Sequence, residues 1–218
     1  MAISEPRKRG RARGLDDLVA GARELVDTID NHARLVAGLE PLLARFLRTE
    51  ILPESYCHPA SGTPTTAHPG FRYHLHLLHQ DPRDRFNIVS AIWLGSGGGS
   101  GIHDHGGRWV VEGVYRGQIH TTRYRRRNGG ERPGLATLEA TASTELRPTD
   151  VAHVLSPDEE IHEFTNRGIE PAVSLHIYGG DVRGKTIHYF DLAAGTAEAV
   201  THETHYESEP GSIRKMGL

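Results

Sequence analysis

Two histidines separated by one residue, His103 and His105, are the side chains of this chain best placed to bind a metal ion. They follow a glycine-rich run, and residues 95–105 read GSGGGSGIHDH. Because residues i and i+2 of a β-strand point to the same face, both imidazoles can reach one ion. Asp104 then points to the other face, where its carboxylate would serve as a structural group. A glycine loop can also bind phosphate, but that use requires a following helix, and here a strand pattern follows.

A second segment, residues 157–166, reads PDEEIHEFTN and contains His162. The two segments together resemble the two motifs of the cupin superfamily: a glycine-led HxH segment that closes at a glycine, here Gly117, and a P-x-x-x-x-H-x-x-x-N-like segment. The resemblance implies that His162 is the third metal ligand and that Asn166 closes the second motif. It also implies the cupin double-stranded β-helix, a jelly-roll barrel.

Cupins usually place a glutamate ligand three to four residues after HxH, but this chain has Gly-Gly-Arg-Trp there and Glu112 comes later. This departure indicates the cupins that use three histidines and no carboxylate. The thiol dioxygenase family fits that subset. Four segments resemble it: YHLHLLHQDPRDRFNIVSAIW at 73–93, IHDH at 102–105, IHEFTN at 161–166 and SLHIYGG at 174–180.

The resemblance to thiol dioxygenases, over roughly residues 70–185, implies one Fe(II) per chain and oxidation of a small-molecule thiol to its sulfinic acid with O2. It implies no consumption of 2-oxoglutarate or of a reductant. The chemistry is reasonable for these ligands, because three neutral imidazoles leave the full charge of a divalent ion available to stabilise a thiolate.

Three polar residues, Ser174, His176 and Tyr178, alternate with aliphatic ones along a predicted strand. One face of this strand is therefore apolar and the other carries groups that suit a pocket wall. The family resemblance implies a relay in which Ser174 bonds His176 and His176 bonds Tyr178, which would donate a hydrogen bond or a proton to oxygen. Three buried polar groups that only satisfy each other are the simpler alternative.

The residues expected to bind substrate leave its identity open. Tyr73 corresponds to the family's pocket tyrosine, and two residues later the family has arginine for cysteine or glutamine for 3-mercaptopropionate, whereas this chain has Leu75. An aliphatic side chain cannot pair with a carboxylate. Either another cation takes over, or the thiol has no carboxylate there. The candidate cations are Arg72, Arg108 and Arg183. The position that some family members cross-link through cysteine is Val110 here.

The elements that must hold these residues are mostly strands. The strand-like segments are 72–79, 86–94, 109–115, 118–126, 134–140, 151–155, 160–165, 171–178 and 186–191. Nine short strands, together with 25 glycines, predict a mainly β sandwich or barrel. Before them, apolar residues from Leu15 to about Arg48 recur at helical spacing, which predicts two or three amphipathic helices packed outside the barrel.

These patterns predict four regions: a disordered basic arm at 1–14, helices and a loop at 15–70, the cupin barrel at 71–198, and a polar tail at 199–218 that could also form a final short element. We expect His202 and His205 to be solvated in that tail. The pair His74 and His76 has no obvious third partner.

Composition excludes several classes of protein. The net charge of −3 gives no reason to expect nucleic acid as a partner, and no apolar run is long enough to cross a membrane. Cys57 is the only cysteine, which excludes an intrachain disulfide and a cysteine-based zinc site. We expect a cytoplasmic protein, either a monomer or a small homo-oligomer, whose partners are a small thiol and O2.

Two other functions remain open at this point. The chain could be a different metal-dependent cupin enzyme, an isomerase or a carbon-cleaving dioxygenase, which would need Glu112 or another carboxylate as a fourth ligand. It could also be a non-enzymatic cupin that acts as a sensor or binding module, for which the basic N-terminal residues give slight support.

Overall fold

The computed structural model describes residues 13–60, 71–127, 134–156, 161–203 and 205–208. The predicted basic arm at 1–14 lies almost wholly outside these ranges. Two α-helices, α1 (Arg13–Thr28) and α2 (His32–Thr49), come first, followed by a 3₁₀ turn at Glu54–Tyr56. The strands are β1 (Tyr73–Gln80), β2 (Asn87–Trp93), β3 (Gly98–Gly99), β4 (Ile102–His103), β5 (Val110–Arg116), β6 (Ile119–Arg126), β7 (Leu138–Leu146), β8 (Val151–Val154), β9 (Ile161–Asn166), β10 (Ala172–Tyr178), β11 (Thr186–Asp191) and β12 (Thr196–Thr201).

The strands form two antiparallel sheets. One sheet has the order β1-β2-β10-β5-β8, and the other has the order β12-β11-β4-β9-β6-β7, with β3 paired to β9. Each sheet therefore combines strands from the first and second halves of the β region, as a double-stranded β-helix requires. Side chains from both sheets, such as Trp93 and Val114 on one and Phe164 on the other, pack in one core between them. The predicted mainly β, cupin-type fold is confirmed.

The two helices cover the outer face of the five-stranded sheet. Asn31 caps the N-terminus of helix α2, because its side-chain oxygen accepts a hydrogen bond from the Arg34 backbone N–H at 3.0 Å. Its buried stripe includes Leu39 and Leu43, which join a core cluster with the outward-facing Leu175 of β10. As the sequence predicts, the helices therefore pack outside the barrel and leave its interior free for chemistry. No helix in the described ranges is long and apolar enough to span a bilayer.

The alternation read from the sequence of β10 sets which residues face the barrel interior. Leu175 and Ile177 point towards the helices, whereas Ser174 and His176 are buried on the opposite face. The same rule applies to β1, two strands away in the same sheet, where Tyr73 and Leu75 belong to the inner core.

Two features of the β region differ from expectation. The strand predicted at 134–140 lies at Leu138–Leu146, because β7 is the last strand of its sheet and most of its residues are exposed, so it has little apolar pattern to mark its ends. The sequence predicts a loop for the glycine run 95–101, yet Gly98 and Gly99 pair with Asn166 and Thr165 as β3. A Cβ on Gly99 would lie 2.5 Å from the Phe164 carbonyl oxygen, so this pairing requires glycine.

The C-terminal residues that the structure describes pack along β1 and are not a solvated tail. The Glu207 N–H bonds the Leu75 carbonyl at 2.8 Å, and the Leu77 N–H bonds the Ser208 carbonyl at 2.9 Å. The carboxylate of Glu207 is buried against His74, and the Ser208 hydroxyl lies 2.8 Å from Nδ1 of His76. His74 and His76 of β1 thus have partners in the C-terminal segment. The sequence predicts that these C-terminal polar residues are solvated, because their partners on β1 lie more than a hundred residues earlier and cannot be recognised from local sequence.

Candidate metal centre

Three histidines converge at one point of the barrel wall. Each of His103, His105 and His162 offers one nitrogen, and these nitrogens all lie within 4.8 Å of one another. Their ring centroids are 4.9 to 5.0 Å apart. His103 and His162 are directly opposite each other in the β4–β9 pair, so the sheet register sets their spacing. His105 follows the end of β4 and completes the triangle.

In His103 and His162, the ring nitrogen that faces away from this point contacts another group of the protein, which orients the ring. Nδ1 of His103 lies 3.1 Å from the Gly101 carbonyl oxygen, and Nδ1 of His162 lies 3.5 Å from Oε1 of Glu112. Burial, together with the neighbouring His162, holds the pKa of His103 well below its usual value, so this imidazole is neutral at neutral pH. Three converging imidazoles, two of them oriented by contacts at their outer nitrogens, fit a divalent transition metal.

Asp104, the residue between the two HxH histidines, stabilises the turn that follows them and ties it to His188. Its Oδ1 accepts hydrogen bonds from the backbone N–H of Gly106 at 3.1 Å and of His188 at 2.9 Å, while Oδ2 lies 2.7 Å from Nδ1 of His188. Asp104 is outside the ligand group, consistent with the structural use expected from strand alternation. The positive φ of Gly106, 59°, lets the chain turn immediately after His105.

The three histidines open onto a small cavity of about 40 Å³ between the sheets. That volume corresponds to a compact molecule of a few non-hydrogen atoms, since one water needs roughly 10–15 Å³ by the same measure. Its apolar walls are Leu75, Ala91, Trp93, Phe164, Val182 and Ile187. The hydroxyl-bearing rings of Tyr73, Tyr178 and Tyr206 also line it.

The Ser174–His176 pair lies on the wall beside the three histidines. Oγ of Ser174 is 2.7 Å from Nε2 of His176 and accepts a hydrogen bond from Nε1 of Trp93 at 2.7 Å. Because the indole can only donate, the Ser174 proton is available to Nε2 of His176. Burial lowers the pKa of His176 to about 4, so the ring is neutral at neutral pH.

The contact between His176 and Tyr178 differs from the expected hydrogen bond. The two rings stack, with centroids 5.5 Å apart and planes within 9° of each other. The reason is that both side chains leave the same face of β10, while one ring nitrogen of His176 faces Ser174 and the other faces Glu112. Burial raises the pKa of Tyr178 well above its usual value, which keeps the phenol protonated. The ring centroid of Tyr178 lies 6.1 Å from that of His105.

The structure separates the residues predicted to bind substrate into two groups. Tyr73 and Leu75 line the cavity. Arg72 instead reaches the Ser96 carbonyl, and Arg183 pairs with Asp181 through contacts as short as 2.7 Å. Arg108 is likewise outside the lining, and no arginine or lysine borders the cavity within the ranges described.

Sequence reasoning missed three contributors to the site. Tyr206 and His202 line the cavity although both fall in the predicted tail, and burial lowers the pKa of His202 to about 4. An aromatic residue within an otherwise polar stretch was the available signal for Tyr206. The third is Trp93, whose indole bonds Ser174. Its place at the end of an apolar strand gave no sign of a polar contact.

No protein-family model matches this chain. Among solved structures, it is similar to an uncharacterized conserved protein with a double-stranded β-helix domain from Klebsiella pneumoniae, with 17% identity, a TM-score of 0.39 and coverage of 61% of this chain and 90% of that one. It is also similar to the Cnp3 cupin domain of Schizosaccharomyces pombe, with 11% identity, a TM-score of 0.38 and coverage of 50% and 61%. A third is oxalate oxidase in complex with glycolate, with 13% identity, a TM-score of 0.39 and coverage of 61% and 63%.

The convergence of the histidines predicts that His162→Ala abolishes stable metal binding. Removing a ligand should weaken Co(II) affinity by more than about 100-fold, because changing an outer partner of a ligand already costs roughly 10–100-fold. Equilibrium dialysis followed by elemental analysis measures this. His120→Ala is the matched control, since His120 lies on β6 and bonds Ser143. Equal Co(II) binding by both variants would show that the metal is elsewhere.

Proposed function

We propose that this chain is a non-haem Fe(II) thiol dioxygenase that oxidises a small-molecule thiol to its sulfinic acid with O2. The observation that carries the proposal is the placement of three imidazoles, without a carboxylate among them, at a small cavity that His176 and Tyr178 also line, with Ser174 bonded to His176. The resemblance of these same segments to thiol dioxygenases gives the reaction.

A site of three neutral ligands suits a thiol. When bound there, Fe(II) supplies positive charge that favours thiolate over thiol and the capacity to activate dioxygen. The overall reaction balances without a reductant, because a thiol and one O2 together contain all the atoms of a sulfinic acid.

The chain's own groups would control protons and water. Tyr178 remains protonated because of its burial and can donate a hydrogen bond where charge develops on oxygen. The stack on His176 holds the phenol ring, and the bonds from Trp93 to Ser174 and from Ser174 to His176 hold that imidazole. The aliphatic and aromatic walls exclude water from the reacting sulfur.

The lining of the cavity supports a thiol without a carboxylate as the substrate. A carboxylate placed beside Leu75 would lose its hydration and find no arginine or lysine among the described lining residues. The wall offers apolar surface and tyrosine hydroxyls, which suit a short thiol with an uncharged polar group.

The competing enzyme class, a cupin with a carboxylate ligand, has less support. It needs an acidic group beside the three nitrogens, yet Glu112 stands 3.5 Å from the outer nitrogen of His162 and is not in the ligand group. A non-enzymatic binding module would share the metal but would not oxidise thiols.

Anaerobically iron-loaded protein should consume O2 when a thiol is added and form a sulfinate, as an oxygen electrode and mass spectrometry would show. Tyr178→Phe should slow turnover by about 100-fold or more, the usual worth of a positioned proton donor. Tyr124→Phe is the matched control, because that hydroxyl bonds Glu163 away from the cavity. Protein with one iron per chain that oxidises no thiol would contradict the proposal.

The apolar wall predicts a preference among thiols. Wild-type kcat/KM should be at least about tenfold higher for 2-mercaptoethanol than for cysteine, 3-mercaptopropionate or mercaptosuccinate. An unpaired carboxylate in the cavity should cost at least about 1.4 kcal/mol of binding free energy, which corresponds to about a tenfold change. Cysteamine tests whether a cation is accepted. Leu75→Arg should reverse the order for the carboxylates, while Leu75→Met should keep it. Wild-type preference for a carboxylate thiol would show that a cation reaches the cavity.

A further inference from the structure

One buried carboxylate lies between the metal-ligand group and the Ser174–His176 pair. Glu112 is 1% exposed, and its two oxygens point in different directions. Oε1 is 3.5 Å from Nδ1 of His162, and Oε2 is 3.7 Å from Nδ1 of His176. Among the described residues, Oε2 of Glu112 and both of these nitrogens are buried without any hydrogen-bond partner. Three unsatisfied polar atoms that face each other are uncommon in a folded interior.

Strand register explains why the carboxylate is there. Glu112 is directly opposite His176 in the β5–β10 pair, and Val110 is opposite Tyr178. Alternation sends Glu112 into the barrel, whereas Gly113 faces Leu47 of α2. The carboxylate therefore falls behind His162 rather than beside the metal-binding nitrogens.

The proton positions follow from the other contacts. Nδ1 of His176 faces the Glu112 carboxylate, which can only accept, so a neutral His176 carries its proton on Nδ1 and accepts the Ser174 proton at Nε2. His162 must present an unprotonated nitrogen to a metal, and with Nδ1 facing Glu112 that nitrogen is Nε2. Both Nδ1–H groups then point at one carboxylate, which can accept from each of them.

We propose that Glu112 is a positioning residue that accepts the Nδ1–H of both His162 and His176, and so links the metal ligand to the residue that supports Tyr178. Its separations from the two nitrogens are slightly longer than hydrogen bonds, and small side-chain rotations would close them. A carboxylate behind a ligand histidine sets its tautomer and orientation and raises its basicity as a ligand. The same carboxylate fixes the ring plane against which Tyr178 stacks.

The role at His176 rests on the proposed function, whereas the role at His162 requires only that the three histidines bind a metal. The two parts can therefore be tested separately. If Glu112 were instead a fourth ligand, its substitution would weaken metal affinity more strongly, because removing a ligand reduces affinity more than removing a group that only orients a ligand.

The first measurement is Co(II) affinity without any thiol. Glu112→Gln keeps the size of the side chain but cannot accept from two N–H groups through two oxygens, so Co(II) should bind about 10–100-fold more weakly. Asp81→Asn is the matched control, since Asp81 is an equally buried carboxylate that pairs with Arg85 outside the cavity. His176→Phe should leave Co(II) affinity within about threefold of wild type. Wild-type affinity in Glu112→Gln would overturn the proposal, and a loss as large as that of His162→Ala would mean that Glu112 is itself a ligand.

The second measurement is a double-mutant cycle on turnover at saturating metal. Glu112→Gln should lower kcat while leaving KM for the thiol nearly unchanged, because the carboxylate does not line the cavity. In the His176→Phe background the same change should have a much smaller effect on kcat. Fully additive effects would overturn the link to His176. If wild-type protein oxidises no thiol, the dioxygenase proposal fails, and Co(II) affinity alone still decides the role of Glu112 at His162.

Discussion

The site depends on the pairing of β4 with β9, which places His103 directly opposite His162. These residues are far apart in the chain, and only the closure of the barrel brings their strands together. Because backbone hydrogen bonds set the register, the sheet fixes the backbone positions of two of the three converging histidines. A slip of one residue would turn a histidine out of the barrel and remove the site. The glycines of β3, paired to the end of the same β9, support this register.

Burial then sets the chemical state of each group around the histidines. It keeps His103 and His176 neutral and Tyr178 protonated, so the cavity offers nitrogen donors and a phenol donor in a place with little water. The two nearby carboxylates are engaged by the protein: Asp104 borders the cavity but bonds the backbone and ring of His188, and Glu112 lies behind His162. Charge at the reacting centre would therefore come from the metal and the thiolate alone, because three neutral imidazoles add none.

Sequence was informative where chemistry follows the local period of a strand. Alternation along β10 correctly placed Ser174 and His176 on the inner face of the strand, and the HxH spacing pointed to two of the three histidines that converge. It failed where the decisive contact is between distant segments. The polar C-terminal residues gave no sign that Glu207 would be buried against His74, and nothing near Glu112 indicated that it would face both His162 and His176. The sequence also could not show that the three candidate arginines lie outside the cavity lining, because their positions depend on contacts such as that of Arg183 with Asp181.

The central claim is that both atoms of O2 enter one thiol at the three-histidine site. The most direct test supplies the iron-loaded protein and 2-mercaptoethanol with dioxygen labelled in both atoms with the heavy isotope, and weighs the sulfinate by mass spectrometry. The account predicts that each sulfinate contains two labelled oxygens. A product with one labelled oxygen or none, or a disulfide in its place, would contradict it.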